Sequence, residues 1–343
     1  MPSPLIPPRI SPLIIAHRGA SGYRPEHTLA GYELAARLGA DFLEPDLVAT
    51  RDGVLVARHE PEIGGTTDVA NHPEFRNRRG TKRVDGTDTT GWFTEDFTLA
   101  ELRTLRAVER IPDVRPRNTR FNGRFPIPTF DEILALALRL TAELGRPIGV
   151  YPETKHPSYH ASIGLPLESA LVDALRRAGL DRADAPVFVQ SFEVYNLRAL
   201  RDVHGLRVPL VQLIEAHGRP ADGGPGYREM ITPVGLKDVA GYASAIGPDK
   251  TLASAALVDN AHAVGLAVHP WTFRAEPRFR PAEVPDLVSE LADYFGRGVD
   301  AVFTDHTDAA VFARAEFKTA HTTASSTKHQ RHDSPGSNER ITG

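Results

Sequence analysis

Charged and imidazole side chains stand at the ends of short apolar runs in this sequence. His17 and Arg18 follow one run, Glu44 and Asp46 end a second, and Glu153 ends a third. Carboxylates can share a cation, and imidazole can gain or lose a proton near neutral pH. If these residues meet in space, they have the chemistry to bind an anionic ester, activate a nucleophile and protonate a leaving group.

The carboxylates predict a site for one divalent cation. Glu44 and Asp46 are two residues apart, so both side chains lie on the same face of a strand, and Glu153 supplies a third carboxylate. The chain has no cysteine, which leaves oxygen and imidazole as metal ligands. Three carboxylates predict a hard cation, with Ca²⁺ favoured over Mg²⁺. The alternative is a solvated strand edge, because Glu-x-Asp is a common tripeptide.

Two histidines are expected on either side of this cluster. One of His17 and His59 would deprotonate the attacking group, and the other would protonate the leaving oxygen, as cleavage of a phosphodiester requires. Taken alone, each histidine has a structural role as its alternative. Arg18 presents a planar donor fork that suits phosphate oxygens, and its alternative is a salt bridge to Glu44 or Asp46.

Other charged residues are expected to lie on the surface. His156 and His160 are four residues apart but straddle Pro157, which disfavours one helix carrying both. A short basic run lacks the interleaved aromatic residues of a nucleic-acid site, so we expect a solvated rim that attracts anions. Its members are Arg76, Arg78, Arg79, Lys82 and Arg83.

Eight short apolar runs, each ending in polar residues, predict buried parallel strands. They are Leu13 to Ala16, Phe42 to Asp46, Ile148 to Pro152, Val187 to Gln190, Val208 to Leu213, Ala243 to Gly247, Leu266 to His269 and Ala301 to Thr304. Amphipathic stretches and two capping boxes, at Thr98 and Thr129, predict helices between most of them. Eight alternating units favour an α/β fold closed into a (β/α)8 TIM barrel.

A ninth apolar run, Val54 to Ala57, follows the second strand after a turn too short for a crossover helix. It predicts an antiparallel hairpin that brings His59 to the level of Glu44 and Asp46. The chain divides into an extension over residues 1–11, a barrel domain over 12–316 with an insertion over about 61–125, and a disordered tail over 317–343.

Composition excludes several classes of protein. The formal net charge of −4 gives no basic field for nucleic acid. No apolar run approaches the roughly 20 residues of a membrane span, so stable membrane insertion is not expected. The first residues show no secretory signal, which predicts a cytoplasmic protein as the chain is written, or a secreted or periplasmic one if its N-terminus has been trimmed. The sequence carries no signal for an oligomeric state.

These residues, in this order, resemble the glycerophosphodiester phosphodiesterase family, in particular its longer bacterial members. The matching stretches are IIAHRGASGYRPEHTLAGY, DFLEPDLVATRDGVLVARHE, GRFPIPTF, IGVYPETKHP, VQSFE, LVQLI, IGPDK, VHPWTFR and FTDH. They span residues 14 to 306 in the family's order. The first two stretches are the most specific.

The resemblance implies a role for each matching residue. His17 and His59 would be the acid/base pair, and Arg18 would bind phosphate. Lys155 would help to neutralise the phosphate, and Trp271 would form part of the wall on the glycerol side. The metal ligands would be Glu44, Asp46 and Glu153, and Glu26 in the PEHT stretch would shape the active site.

Two positions depart from the family's pattern. His27 stands where asparagine is usual, and Glu60 stands where aspartate is usual. Neither is expected to touch a proposed metal ligand or the acid/base pair, so the departures are expected to bear on substrate range and to leave catalysis intact.

The resemblance implies metal-dependent hydrolysis of glycerophosphodiesters, such as glycerophosphocholine or glycerophosphoethanolamine, to sn-glycerol 3-phosphate and an alcohol. We favour attack by the glycerol 2-hydroxyl through a cyclic phosphate, and direct attack by water is the alternative. A related phospholipase is the second candidate function. Activity on micellar lipid but not on the deacylated diester would favour it. A non-catalytic binding protein is a third, and such proteins normally lack the acid/base or metal residues that are present here.

Overall fold

The computed structural model describes residues 11–330, with side chains to residue 320. Thirteen strands lie in this part of the chain, and several are short segments of longer barrel strands. In chain order they are β1 (Leu13–His17), β2 (Phe42–Glu44), β3 (Asp46–Ala49), β4 (Leu55–Ala57), β5 (Gly80–Val84), β6 (Thr87–Gly91), β7 (Gly149–Val150), β8 (Glu153–Thr154), β9 (Val189–Ser191), β10 (Leu210–Ile214), β11 (Ala245–Pro248), β12 (Ala267–Val268) and β13 (Ala301–Thr304).

Helices follow most of the barrel strands, and shorter 3₁₀ segments lie in the loops. The α-helices are α1 (Leu29–Arg37), α2 (Leu99–Leu102), α3 (Phe130–Leu144), α4 (Pro157–Ser162), α5 (Leu167–Arg177), α6 (Val194–Asp202), α7 (Tyr227–Met230), α8 (Pro233–Ala240), α9 (Ala255–Ala263), α10 (Leu287–Gly296) and α11 (Thr307–Gln330). The 3₁₀ segments are Val69–Asn71, Pro73–Arg78, Thr94–Asp96, Pro116–Phe121, Lys250–Leu252 and Pro277–Phe279.

The strands close a (β/α)8 barrel, as the sequence predicted. Two hydrogen-bonded sheets make up the barrel. One has the strand order β13-β1-β2-β7, and the other has the strand order β12-β11-β10-β9-β8-β3-β4. β2 and β3 are two parts of one barrel strand divided at Pro45, and they pair with β7 and β8, which form the next. Asp300 N donates to Val268 O and Phe303 N donates to Pro270 O, which closes the seam between β12 and β13.

Helix starts follow the local sequence. The hydroxyl of Thr28 accepts a hydrogen bond from Gly31 N at the start of α1. Both predicted capping boxes form, at Thr98 before α2 and at Thr129 before α3, and each satisfies backbone amides that the helix leaves unpaired. These caps fix where the helices begin, and with them the loops that lead from the strands.

The barrel interior is filled by aromatic side chains. Tyr151 stacks on Phe188 with ring centroids 5.0 Å apart, and Phe42 and Phe303 meet Tyr151 edge-on. A separate apolar cluster lies between the β3–β4 pair and the insertion, including Val56, and it gives the insertion a core of its own. The two cores leave the mouth of the barrel, at the carboxyl ends of the strands, for polar side chains.

The predicted hairpin is present, because β4 pairs antiparallel with β3. The insertion that follows carries a second antiparallel hairpin, β5–β6, joined by Asp85 and Gly86. The residues of the predicted basic run lie on the surface or are partly buried. Two of them, Arg78 and Lys82, pair with acidic residues of the insertion itself.

The sequence predicted a disordered tail from residue 317, whereas the structure describes residues 317–330 as helical. Helix α11 continues to Gln330, and the ring of Phe317 packs edge-on against Phe295 of α10 at 5.7 Å. Residues 331–343, and all of the predicted N-terminal extension except Ser11, lie outside the described residues. In the described part of the chain, no helix is both long and apolar enough to cross a membrane.

Candidate active site

The three predicted metal ligands meet at the barrel mouth. Glu44 ends β2, Asp46 begins β3 and Glu153 begins β8. All three are buried, and one oxygen from each lies within 4.8 Å of the others. The division at Pro45 does not separate Glu44 from Asp46, because each half-strand pairs in register with its neighbour.

The electrostatics of this cluster fit a cation. Burial and the neighbouring carboxylates raise the pKa of Glu44, and burial with Asp46 raises the pKa of Glu153 to about 8. Burial also acts to raise the pKa of Asp46, but Arg18 and other cationic neighbours outweigh it and hold that pKa well below its usual range. Crowded buried carboxylates repel one another, and a divalent ion relieves this repulsion.

A further oxygen lies beside the cluster. Gln190 Nε2 donates to Glu44 Oε1 at 3.1 Å. The other amide atom, Gln190 Oε1, is buried and has no hydrogen-bond partner among the described residues. Carboxylate and amide oxygens are the ligands that Ca²⁺ and Mg²⁺ take, so the donor set fits a hard cation.

His17 is held by a carboxylate from the last barrel strand. Its Nδ1 lies 2.6 Å from Oδ1 of Asp305, the residue that directly follows β13. Asp305 Oδ2 in turn accepts from Arg115 at 2.6 Å and from Arg274 at 2.8 Å. An ionised carboxylate can only accept, so His17 carries its proton on Nδ1 and leaves Nε2 free. Burial, with Arg18 beside it, lowers the pKa of His17 to about 4.

His59 is held in a similar way by its neighbour in the chain. Its Nδ1 lies 2.9 Å from Glu60 Oε1, an ion-pair contact that favours a proton on Nδ1. Burial and the cations Arg18 and Lys155 lower the pKa of His59 to about 3. Without substrate, both imidazoles are therefore neutral.

Arg18 lies between the acidic cluster and the cleft. Its Nε is 3.1 Å from Asp46 Oδ2, and its Nη1 is 3.2 Å from Glu26 Oε2. The alternative salt bridge to Asp46 is therefore present, and the guanidinium lines the cleft as well. Glu26 also pairs with Arg110 at 2.8 Å, so it fixes the side chain of Arg18.

The remaining predicted residues line the same cleft. Lys155 Nζ lies 3.0 Å from Glu153 Oε1, which places a cation at the edge of the acidic cluster. The indole of Trp271 donates to Gly247 O at 2.7 Å and packs edge-on against Phe192, so it forms a fixed apolar wall. The cleft has a volume of about 720 Å³, which suits a small polar molecule.

The expectation for the two departures from the family's pattern is wrong. His27 is fully buried, and its Nε2 lies 3.0 Å from Asp46 Oδ2 while its Nδ1 lies 2.7 Å from the hydroxyl of Tyr32. Glu60 contacts His59. One departure thus touches a proposed metal ligand and the other touches the acid/base pair. The contact of His27 with Asp46 joins residues 19 positions apart, whereas Glu60 contacts the histidine that directly precedes it.

The surface placement expected for His156 and His160 is also wrong. His156 lines the cleft and caps the start of α4, whereas His160 is fully buried within that helix. Pro157 permits this arrangement because it stands at the first position of the helix, where its missing N–H would be unpaired in any case. The rule against proline applies to a helix interior.

Fold and cleft together define an enzyme on a (β/α)8 barrel, with imidazoles, cations and an acidic cluster at the carboxyl end of the strands. The model of the glycerophosphoryl diester phosphodiesterase family matches residues 17–309. The chain belongs to this family, and it is a phosphoric diester hydrolase.

Individual relatives agree with this assignment. A glycerophosphodiester phosphodiesterase of Arabidopsis thaliana is 35% identical over 86% of this chain and 84% of its own length. A glycerophosphodiester phosphodiesterase of Haemophilus influenzae is 29% identical over 87% of this chain and 88% of its own length. The fold is similar to that of an Oleispira antarctica phosphodiesterase, solved in complex with the product sn-glycerol-3-phosphate, with a TM-score of 0.60 at 20% identity over 88% of this chain and 96% of that one.

Proposed function

We propose that the protein hydrolyses glycerophosphodiesters such as glycerophosphocholine and glycerophosphoethanolamine to sn-glycerol 3-phosphate and a free alcohol. The observation that carries the proposal is one cleft in which His17 and His59 lie beside a buried cluster of three carboxylates. The product bound by the Oleispira antarctica phosphodiesterase is consistent with glycerol 3-phosphate as the part of the substrate that is recognised.

Glu44, Asp46 and Glu153 would hold one divalent cation. When bound, it would neutralise charge on the phosphoryl group. Ca²⁺ fits this site better than Mg²⁺, because Ca²⁺ accepts several protein oxygens whereas Mg²⁺ usually keeps most of its waters.

Substrate binding and proton transfer are assigned to different side chains of the cleft. Arg18 and Lys155 would bind the phosphoryl oxygens, and Trp271 would pack against the glycerol moiety. The histidine that acts as base is neutral and takes a proton from the attacking hydroxyl through Nε2. The other histidine must first take a proton from solvent, beside the anionic phosphodiester, and gives it from Nε2 to the departing alkoxide. We favour the glycerol 2-hydroxyl as the attacking group, and the detection of cyclic glycerophosphate in a single turnover would test this.

The proposed function predicts release of glycerol 3-phosphate from glycerophosphocholine. EDTA should abolish this release, and Ca²⁺ should restore it more fully than Mg²⁺, because the acidic cluster would then be filled by the ion that suits it. Enzymatic assay of glycerol 3-phosphate measures the result. Failure to release it from any deacylated diester with either ion, together with cleavage of intact lipid, would contradict the proposed substrate.

A second prediction concerns cation binding without any substrate. Ca²⁺ at roughly 100 times its Kd stabilises a folded protein by about 2.7 kcal/mol. For a chain of this size that raises Tm by about 4 °C. Calorimetry on the EDTA-treated protein should show this rise, and Glu153→Gln should remove it.

Glu193→Gln is the matched control, because Glu193 is a buried carboxylate of the same cleft that lies outside the acidic cluster. This variant should keep the full rise in Tm. An equal rise in Glu153→Gln and in wild type would place the cation elsewhere.

A further inference from the structure

A row of four charged or imidazole groups runs from the insertion to one of the proposed acid/base residues. Asp85 Oδ2 lies 2.6 Å from His156 Nδ1, and His156 Nε2 lies 2.9 Å from Glu60 Oε2. The other oxygen of Glu60 lies 2.9 Å from His59 Nδ1. All four residues line the cleft, and Asp85 reaches it from the turn of the β5–β6 hairpin.

The hydrogen-bond pattern fixes where the protons lie. His156 faces a carboxylate at each ring nitrogen, so both nitrogens must donate and the ring is an imidazolium. Burial opposes this charge, but the hydrogen bonds to Asp85 and Glu60 outweigh it and raise the pKa of His156 to about 9. The row therefore alternates in charge, with a cation between two carboxylates.

Glu60 needs a second contact to hold His59 in one orientation. Its side chain is one methylene longer than aspartate and is 46% exposed, so on its own it would sample several rotamers. The contact with His156 occupies its second oxygen. His156 is itself fixed by Asp85, which lies 71 residues earlier in the chain.

Backbone geometry marks the same residues. Asp85 and His156 have left-handed backbone angles, with φ of 46° and 47°. In the described part of the chain, the other non-glycine residues in this region are Arg18 and His27, and both belong to the active site. At Asp85 the two-residue Asp-Gly turn accounts for this conformation. At His156 it costs free energy and persists where the surrounding contacts require it.

We propose that Asp85 and His156 are positioning residues, through which the insertion holds Glu60 and thereby fixes the ring of His59 with Nε2 towards the substrate. This inference rests on the proposed function, in which His59 transfers a proton. It gives the β5–β6 hairpin a part in catalysis without any contact to the reacting atoms.

Substitutions at Asp85 test the inference without breaking the turn. Asp85 and Gly86 form a two-residue hairpin turn, and Asn-Gly and Gly-Gly also suit such a turn. Asp85→Asn keeps an acceptor oxygen without the charge, and Asp85→Gly removes both. We expect kcat on glycerophosphocholine to fall in that order, by roughly 10- to 100-fold for Asp85→Gly, while KM stays within about twofold.

Asp88→Asn is the matched control. Asp88 lies on the same hairpin, is largely exposed and pairs only loosely with Arg83, at 3.6 Å. It should keep the kcat of wild type. If Asp85→Gly raised KM and left kcat unchanged, the row would bind substrate and the inference would be wrong.

A double-variant cycle tests whether the residues act in sequence. His156→Ala should lower kcat at least as much as Asp85→Gly, and the combined variant should lose no more than His156→Ala alone. Multiplying losses would show independent effects and would overturn the inference.

Nitrogen-15 NMR of the His59 ring, assigned with His59→Gln, gives a readout that needs no substrate. Wild type should show the proton on Nδ1, and Asp85→Gly should show a mixture of tautomers. If wild type released no glycerol 3-phosphate, the proposed function would fail, while this spectrum would still decide the inference. An unchanged tautomer in Asp85→Gly would overturn it.

Discussion

Replacing either proposed acid/base histidine should lower kcat on glycerophosphocholine by about 10³-fold, because each supplies a proton transfer that water performs poorly. His17→Ala and His59→Ala should both leave KM and the cation-induced rise in Tm almost unchanged, since neither residue belongs to the acidic cluster. The combined variant should be close to the worse single one, because catalytic groups that act in one step are not additive. Steady-state kinetics on the folded proteins measures kcat and KM for the two single variants and the combined variant.

The leaving group assigns the two roles. The nitrophenolate of a nitrophenyl ester of glycerol phosphate departs without a proton. Loss of the general acid should therefore lower kcat on this ester only slightly, whereas loss of the general base should lower it as much as on glycerophosphocholine. One of the two histidine variants should therefore recover on this ester and the other should not.

His262→Ala is the matched control for both variants, because His262 also pairs with an aspartate, Asp300, but at the opposite end of the barrel. It should keep the kcat of wild type. Retention of most activity on glycerophosphocholine by either His17→Ala or His59→Ala would contradict its assigned role.

The residues that lie together as the sequence predicted stand at the ends of strands. A buried strand shows itself as an apolar run, and the carboxyl ends of parallel strands meet at one mouth. Local patterns therefore sufficed to bring Glu44, Asp46 and Glu153 together, and the short turn after the second strand sufficed to bring His59 to the same cleft.

The predictions differ from the structure where a contact joins segments that are distant in sequence, or where tertiary packing determines the local structure. The partner of His156 lies in a hairpin turn of the insertion, and nothing in the local sequence indicates that this turn reaches the cleft. His27 contacts Asp46 because the loop after β1 folds back over β3. At residue 317 the helix packs on α10 through the rings of Phe317 and Phe295, which are distant in sequence.

Asp305 directly follows the last predicted strand, Ala301 to Thr304, but its role is seen only in the structure. Asp305→Asn should lower kcat by roughly 10²- to 10⁴-fold, a range set by the equivalent change in serine protease triads, where the orienting aspartate is lost. The asparagine amide can donate to Nδ1 of His17, which would shift the ring proton to Nε2 and remove the group that accepts a proton.

The same substitution should also lower stability. Arg274 would lose the carboxylate that pairs with it, and Arg115 would keep only Glu276. Weaker pairing of a buried cation is costly. Kinetics should therefore be measured well below the Tm of the variant. Under that condition the fall in kcat reports on His17 and not on unfolding.

Asp300→Asn separates these two effects. Asp300 directly precedes β13 and Asp305 directly follows it, and each pairs with a histidine, at opposite ends of one strand. Asp300→Asn should lower Tm but leave kcat within about threefold of wild type. Equal losses of kcat in both variants would mean that Asp305 acts through stability alone, whereas a loss confined to Asp305→Asn would establish that its carboxylate sets the protonation and orientation of His17.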